Sequence, residues 1–249
     1  MIIRHSRDSE WLSNSWLVAD KPGGHAVLID TGGPQGPLLA AIEEFALTPT
    51  HILNTHHHYD HVTHNQAWAD DFSCPVCAHA AEEELIPGLT RTLTDDEEIR
   101  SGDLVVRALH IPGHTAGQLA FWVNEEAVFT GDTLFRGSVG GTRAPGHTTF
   151  EELQHSVMEK LMQLPRQTEV YPGHMESSTI AREWEENPFL RMWRGLDQTT
   201  LSSCLAFGEP AKLLLRARDY DGGSKCWVRF EDGREDLVPG SRVKDLDEN

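Results

Sequence analysis

The chain has 249 residues, enough for one large domain or a domain with a small annex. Its 39 acidic against 21 basic residues leave a net charge of −18, spread along the chain rather than gathered in one run. That balance works against the clustered Lys and Arg that bind a phosphate backbone or an anionic membrane, so nucleic acid and membrane are excluded as expected partners.

No run of about 18 apolar residues is present to form a membrane-spanning helix. The N-terminal stretch carries Arg4, Arg7, Asp8 and Glu10 and has no apolar signal-peptide core. Four cysteines do not make a disulfide scaffold, so the expected setting is the reducing cytoplasm.

Taken in chain order, the pattern predicts strands over 14–20 and 25–30, joined by a Lys21-Pro22-Gly23-Gly24 turn. A helix is expected over 37–45, where Leu38, Leu39, Ile42 and Phe45 recur at helical spacing. A strand over 51–54 delivers the chain to Thr55-His56-His57-His58-Tyr59-Asp60-His61, and a helix follows through Trp68. Next come a strand over 74–78, a helix over 80–85, and strands over 103–111, 119–123 and 127–130.

Thr149-Phe150-Glu151-Glu152 has the form of a capping box. The helix behind it carries Phe150, Leu153, Val157, Leu161 and Leu164 on one face. A strand over 169–171 ends at Pro172-Gly173-His174, and a helix over 177–186 stops at Asn187-Pro188. After Gly195 the character changes to strands over 211–218, 225–231 and 235–238, with turns at Asp221-Gly222-Gly223 and Asp232-Gly233. An α+β body over 1–200 and a small β-rich domain over 206–249 are therefore expected.

Histidine is the compositional outlier, at 14 copies. In an extended loop residues i and i+2 point the same way, so His56 and His58 face one ion. Asp60 and His61 follow as the chain turns into a helix and reach a second, at the spacing of about 3.5–4 Å that two-metal hydrolases use. Three further strand ends each pair a glycine with a ligand-type side chain: Gly113-His114, Gly131-Asp132 and Gly173-His174.

The series His56-x-His58-x-Asp60-His61, His114, Asp132 and His174 resembles the metallo-β-lactamase superfamily, and most of all its glyoxalase II-like branch. The resemblance runs from about Ser15 to Phe189. It implies an αββα sandwich with metals at one sheet edge. One ion would take His56, His58 and His114, and the other Asp60, His61 and His174. Asp132 and a hydroxide would bridge them, which makes Asp60 and Asp132 the catalytic carboxylates. Asp30 resembles the family's aspartate that steadies the site. Two divalent ions are implied, zinc favoured by the histidine-rich set, with iron or manganese also admissible.

The chemistry that follows is hydrolysis, most suitably of a small-thiol thioester, because a thiolate leaves without the acid help an amine needs. A mononuclear-iron persulfide dioxygenase and a lactone or other ester hydrolase are the alternatives. Asp132 stands where several true β-lactamases place a cysteine, which weighs against antibiotic hydrolysis. The helical glutathione-binding domain of the long glyoxalase II enzymes is replaced here by the β-rich annex. Arg136 and Arg143 are candidates to meet a substrate carboxylate.

The annex resembles an SH3-like or Tudor-like barrel, a binding or dimerisation module, so a homodimer is admitted. Its Tyr220, Trp227 and Phe230 read as barrel core, with a Tyr220–Trp227 cage for a cationic or peptide ligand as the alternative. Cys74 and Cys77 read as buried strand thiols. His57, Tyr59 and His64 read as solvated or as neighbours of the ligands.

Overall fold

A computed structural model describes residues 1–246. The first half builds β1 (Ile2–Arg7), β2 (Asn14–Ala19), β3 (His25–Ile29), α1 (Gln35–Phe45), β4 (Thr48–Leu53), α2 (Tyr59–Val62), α3 (Asn65–Phe72), β5 (Val76–His79) and β6 (Arg91–Leu93). There follow β7 (Glu98–Ser101), β8 (Leu104–His110), β9 (Leu119–Val123), β10 (Ala127–Gly131), β11 (Leu134–Phe135), β12 (Ser138–Val139), α4 (Phe150–His155), β13 (Glu169–Pro172), β14 (Ser178–Thr179), α5 (Ile180–Glu186) and α6 (Pro188–Trp193). The chain closes with β15 (Ser202–Ala206), β16 (Glu209–Arg218), β17 (Ser224–Phe230), β18 (Glu235–Pro239) and β19 (Val243–Asp245).

Strand alternation sorts the apolar residues into layers. In β2, Trp16 and Val18 enter one core while Leu17 and Ala19 enter another. The first core lies between two six-stranded sheets, ordered β1-β2-β3-β4-β5-β6 and β14-β13-β10-β9-β8-β7. Phe121, Val123 and Phe129 fill it from the second sheet. Leu38, Ala41 and Ile42 of α1 and Trp68 of α3 cover the outer face of the first sheet. Phe150 and Leu153 of α4, with Val157 and Leu161 beyond it, cover the second. Helix, sheet, sheet and helix therefore stack as the resemblance implied.

Several local expectations shift. The helix expected after the histidine motif is two, because His64 gives its N–H to Thr31 O at 3.2 Å. The buried Asn65 side chain then locks the break through Thr31 and Asn54. Residues 80–85 hold only a 3-10 turn, Ala80–Glu82. Ser178–Thr179 is a short strand, and Thr179 caps α5 by accepting from Arg182 N at 3.1 Å. The apolar face behind Thr149 is kept, though the helix passes through a π-turn (Ser156–Lys160) and a 3-10 turn (Leu161–Gln163). β1, β6, β7, β11, β12 and β15 lack a sequence signal strong enough to be read.

The C-terminal strands form a five-stranded sheet ordered β18-β17-β16-β15-β19. It is open: its outer strands β18 and β19 do not pair with each other, so the closed barrel expected from sequence is corrected to an open sheet. Phe230 sits in the sheet's own core with Cys204, Cys226 and Val228. Trp227 does not face that core. It stacks on Phe150 of α4 at 5.3 Å and joins Leu214 and Leu237 in the helical layer of the larger body. No cage forms with Tyr220, which lies elsewhere.

Candidate metal centre

Asp30, the Thr55–His61 loop, His114, Asp132 and His174 follow the C-terminal ends of β3, β4, β8, β10 and β13 respectively. Ligand sites of α/β sheets gather at such strand ends. Gly131 ends β10 in the left-handed region, φ 48°, and so turns Asp132 out of the strand line. The edge is stitched together by Gly173 N to Gly131 O at 2.8 Å and Asn14 N to Gly173 O at 2.7 Å.

All seven expected ligands meet there. Their donor atoms form overlapping groups: His56, His58 and His114; His56, His61 and Asp132; and Asp60, His61 and His174. His58 Nδ1 lies 2.9 Å from His56 Nε2 and 3.1 Å from His114 Nε2. Asp132 Oδ2 lies 3.1 Å from His174 Nε2 and 3.6 Å from His114 Nε2. Asp132 Oδ1 is 3.4 Å from His61 Nε2, whose other neighbour, Asp60 Oδ2, is at 3.5 Å. Two ligands of a tetrahedral ion with bonds of about 2.0–2.1 Å stand about 3.3 Å apart, so these separations suit donors sharing a cation.

Each ring is held by its other nitrogen. His61 Nδ1 donates to Asp30 at 2.9 Å, His114 Nδ1 to Gly141 O at 3.0 Å, His174 Nδ1 to Trp11 O at 3.0 Å and His58 Nε2 to Pro145 O at 2.9 Å. Thr55 gives its hydroxyl hydrogen to Asp30 at 2.8 Å, so its oxygen accepts from His56 Nδ1 at 2.9 Å. Five bare nitrogens are left pointing inward, the arrangement that fixes a metal-binding tautomer. His61 Nε2 and Asp132 Oδ1 are buried without a hydrogen-bond partner among the described residues. Orphans of this kind are costly unless a cation satisfies them.

The electrostatics agree. Burial opposes ionisation of Asp132, but His174 and His61 outweigh it and hold the carboxyl well below its usual range. Burial opposes the charge on His61, yet Asp132, Asp30 and Asp60 lift it to about 10. Burial, with the neighbouring rings, pushes His114 down to about 3 and keeps His56 neutral. His56 and His114 are thus in the neutral form that ligation needs, beside an ionised Asp132, while His61 holds a proton among its carboxylates that a bound cation would displace.

Tyr59 is exposed and His64 only half-buried. His57 is tied to Glu82, which is buried and also accepts from Thr115 Oγ1 and Gly117 N, each at 2.8 Å. Glu82 thus clamps the metal loop to the loop carrying His114. It was not read from sequence, where it is the first glutamate of an Ala-Ala-Glu-Glu-Glu run; its i, i+4 relation to the buried Ile86 is the one available signal.

The two candidate arginines part company. Arg136 borders a cavity beside His174. Arg143 pairs with Asp236 at 2.8 Å and lies over Phe230, so it is corrected from a substrate residue to a clasp on the C-terminal sheet. Cys74 and Cys77 are buried and unpaired by disulfide, as expected.

Comparison with known proteins follows the same geometry. The family model described as the Metallo-beta-lactamase superfamily matches residues 8–174. An uncharacterized protein of Mycobacterium leprae is 34% identical over 203 residues, 71% of this chain and 93% of its own length. A hydroxyacylglutathione hydrolase of Rhodospirillum rubrum is 36% identical over 163 residues, 64% of this chain and 60% of that enzyme.

Among solved structures, the BLEG-1 B3 metallo-beta-lactamase matches with TM-score 0.70 at 29% identity, covering 76% of this chain and 99% of that one. ETHE1 from Myxococcus xanthus matches with TM-score 0.66 at 31% identity, covering 76% and 84%. TTHA1623 in a di-iron-bound form matches with TM-score 0.64 at 32% identity, covering 75% and 100%. With the family's match running from Asp8, just past β1, to His174 and the chain's donor atoms converging at one sheet edge, the chain belongs to the metallo-β-lactamase superfamily.

Proposed function

We propose that this metal-dependent hydrolase cleaves a small-thiol thioester at a dinuclear site. The observation that carries the reading is Asp132, whose carboxylate lies between the His56–His58–His114 group and the Asp60–His61–His174 group. The first group would hold one divalent cation and the second the other, with Asp132 shared. When bound, such ions lower the pKa of a water to about 7 and polarise a carbonyl oxygen. The chain's own part is to keep Asp132 ionised, to keep His56 and His114 neutral, and to fix each ring from behind through protein oxygens.

The leaving group follows from the same hydrogen bonds. Each histidine of the cluster turns one nitrogen inward and gives the other to a protein oxygen, so none is spare to protonate an amine. A thiolate, with a pKa of about 8.5, leaves without that proton, which supports a thioester over an amide. The similarity to hydroxyacylglutathione hydrolases supports the same class, and the net charge of −18 supports a small-molecule substrate over nucleic acid.

The test pairs elemental analysis with turnover of thioester, lactone, β-lactam and persulfide substrates in an oxygen electrode. Two transition-metal ions per chain and oxygen-independent thioester cleavage are expected. One iron with oxygen uptake on a persulfide overturns the reading in favour of the dioxygenase. Cleavage of lactone or β-lactam alone overturns the thioester assignment.

A further inference from the structure

Beside the second ligand group lies a cavity of about 430 Å³, walled by the turn between β11 and β12, by α5, by His174 and by the residues that follow β16. That volume is enough for a small organic ligand. The C-terminal sheet contributes directly. The Tyr220 ring stacks on His174 at 4.5 Å and 19°, and packs against Phe135 at 4.6 Å. Arg218 stands at the end of β16, two residues before Tyr220.

The charges around this cavity are not evenly matched. Every acidic wall residue is already engaged inside the protein. Glu176 pairs with Arg7 at 3.0 Å and Glu186 with Arg182 at 3.0 Å. Asp219 pairs with Lys225 at 3.1 Å and accepts from Ser138 at 2.8 Å. Glu183 accepts from Gly137 N at 2.9 Å, from Asn187 at 2.8 Å and from Ser178. Arg136 and Arg218, both exposed, have no ion pair or side-chain hydrogen bond among the described residues. A chain with 39 acidic residues therefore leaves two unpaired guanidinium groups at the mouth of the cavity that reaches a metal-ligand histidine.

We propose that this cavity binds the anionic part of the substrate, a carboxylate or phosphate group, through Arg136 and Arg218, with Tyr220 as the wall that directs the remainder of the molecule towards His174. Guanidinium suits such groups because its donors match two oxygens at once. The substrate class is thus an anionic thioester, and the C-terminal sheet forms part of its binding site. The thioester rests on the function proposed above; the anion site does not.

The experiment has two arms on the holoprotein. In the first, calorimetry measures binding of 3-(ethylthio)propanoate, a non-hydrolysable anion, and of its uncharged amide. The anion is expected to bind more tightly, and the Arg136→Ala/Arg218→Ala variant to lose about tenfold or more in anion affinity, the size of one charge-assisted hydrogen bond. Arg218→Lys is expected to keep part of it. Equal binding of anion and amide, or an unchanged affinity in the double variant, overturns the anion site.

In the second arm, kcat/KM is compared for three thioesters: S-acetyl-3-mercaptopropionate, charged on the thiol side; S-succinyl-N-acetylcysteamine, charged on the acyl side; and uncharged S-acetyl-N-acetylcysteamine. One charged ester is expected to exceed the uncharged one by about tenfold, and that ratio to collapse in the double variant. Which ester does so assigns the charge to the carrier or to the acyl group. Equal rates for all three overturn the anion preference while keeping the hydrolase. Turnover of none overturns the thioester reading and leaves the calorimetric arm to decide the anion site.

Discussion

Asp30 accepts from Thr55 N, Thr55 Oγ1 and His61 Nδ1, all within 2.8–2.9 Å. It does this at φ 55°, a left-handed conformation that asparagine also tolerates. Asp30→Asn therefore keeps the turn but sets an amide NH2 against a donor. Its affinity for a divalent cation is expected to fall about 10- to 100-fold, measured by competition with a chelator, with an unchanged circular dichroism spectrum. Close by, a Cβ on Gly32 falls on the Asp60 carbonyl. Gly32→Ala is expected to cost about 3 kcal/mol in urea denaturation, because backbone has to move aside. The cysteines make a separate prediction. Burial pushes the Cys77 thiol up to about 12 and Cys226 up to about 11, and raises Cys74 and Cys204 as well, so the native protein is expected to resist an alkylating reagent in mildly alkaline buffer until it is unfolded. The ligands were readable because their geometry is local: spacing in one loop, and a glycine beside each of three others. Glu82 was not, since its partners Thr115 and Gly117 lie over thirty positions away.

Among the elements, the 3-10 turn Ala80–Glu82 does more than its length suggests, because it carries the Glu82 clamp. Burial works to raise the Glu82 pKa, but hydrogen bonds from His57, Thr115 and Gly117 win and lower it below 4.5. A carboxylate depressed on folding contributes stability above its unfolded pKa and loses it as pH falls through the folded value. Urea midpoints measured downwards from pH 4.5 are expected to fall more steeply for the native chain than for Glu82→Gln, which has no such proton to take up. The strands that read well are those whose side chains are apolar throughout, such as β9, or apolar after an exposed first residue, such as β3 beyond His25, or that end on a glycine, such as β10. The strands that escaped reading are short or polar, like β6 and β7, and owe their form to a neighbour's hydrogen bonds rather than to their own residues. The break between α2 and α3 has the same origin, a bond to Thr31 from across the sheet edge.

Taken whole, the molecule is a sandwich with an additional sheet fastened to one helical layer. The fastening is both apolar and polar: Trp227 on Phe150, Arg143 on Asp236, and Thr142 exchanging bonds with Leu237 at 2.9 and 3.0 Å. Trp227→Ala removes a large side chain from that joint and is expected to cost about 3–5 kcal/mol, seen as a lowered Tm in a single thermal transition. Two transitions would show that the two parts unfold independently. The hairpins of this sheet were readable from their turn residues, but not the face they present, because the docking surface is supplied by α4 far upstream. The stacking of Tyr220 on His174 joins the last strands to the cluster at a single ring face. A cation that fixes His174 is expected also to quiet the hairpin holding Tyr220, so that backbone amides of β16 and β17 should exchange with deuterium more slowly once the cluster is loaded, as hydrogen exchange with and without metal would show. The chain's tail then serves as a remote gauge of occupancy, readable without any substrate at all.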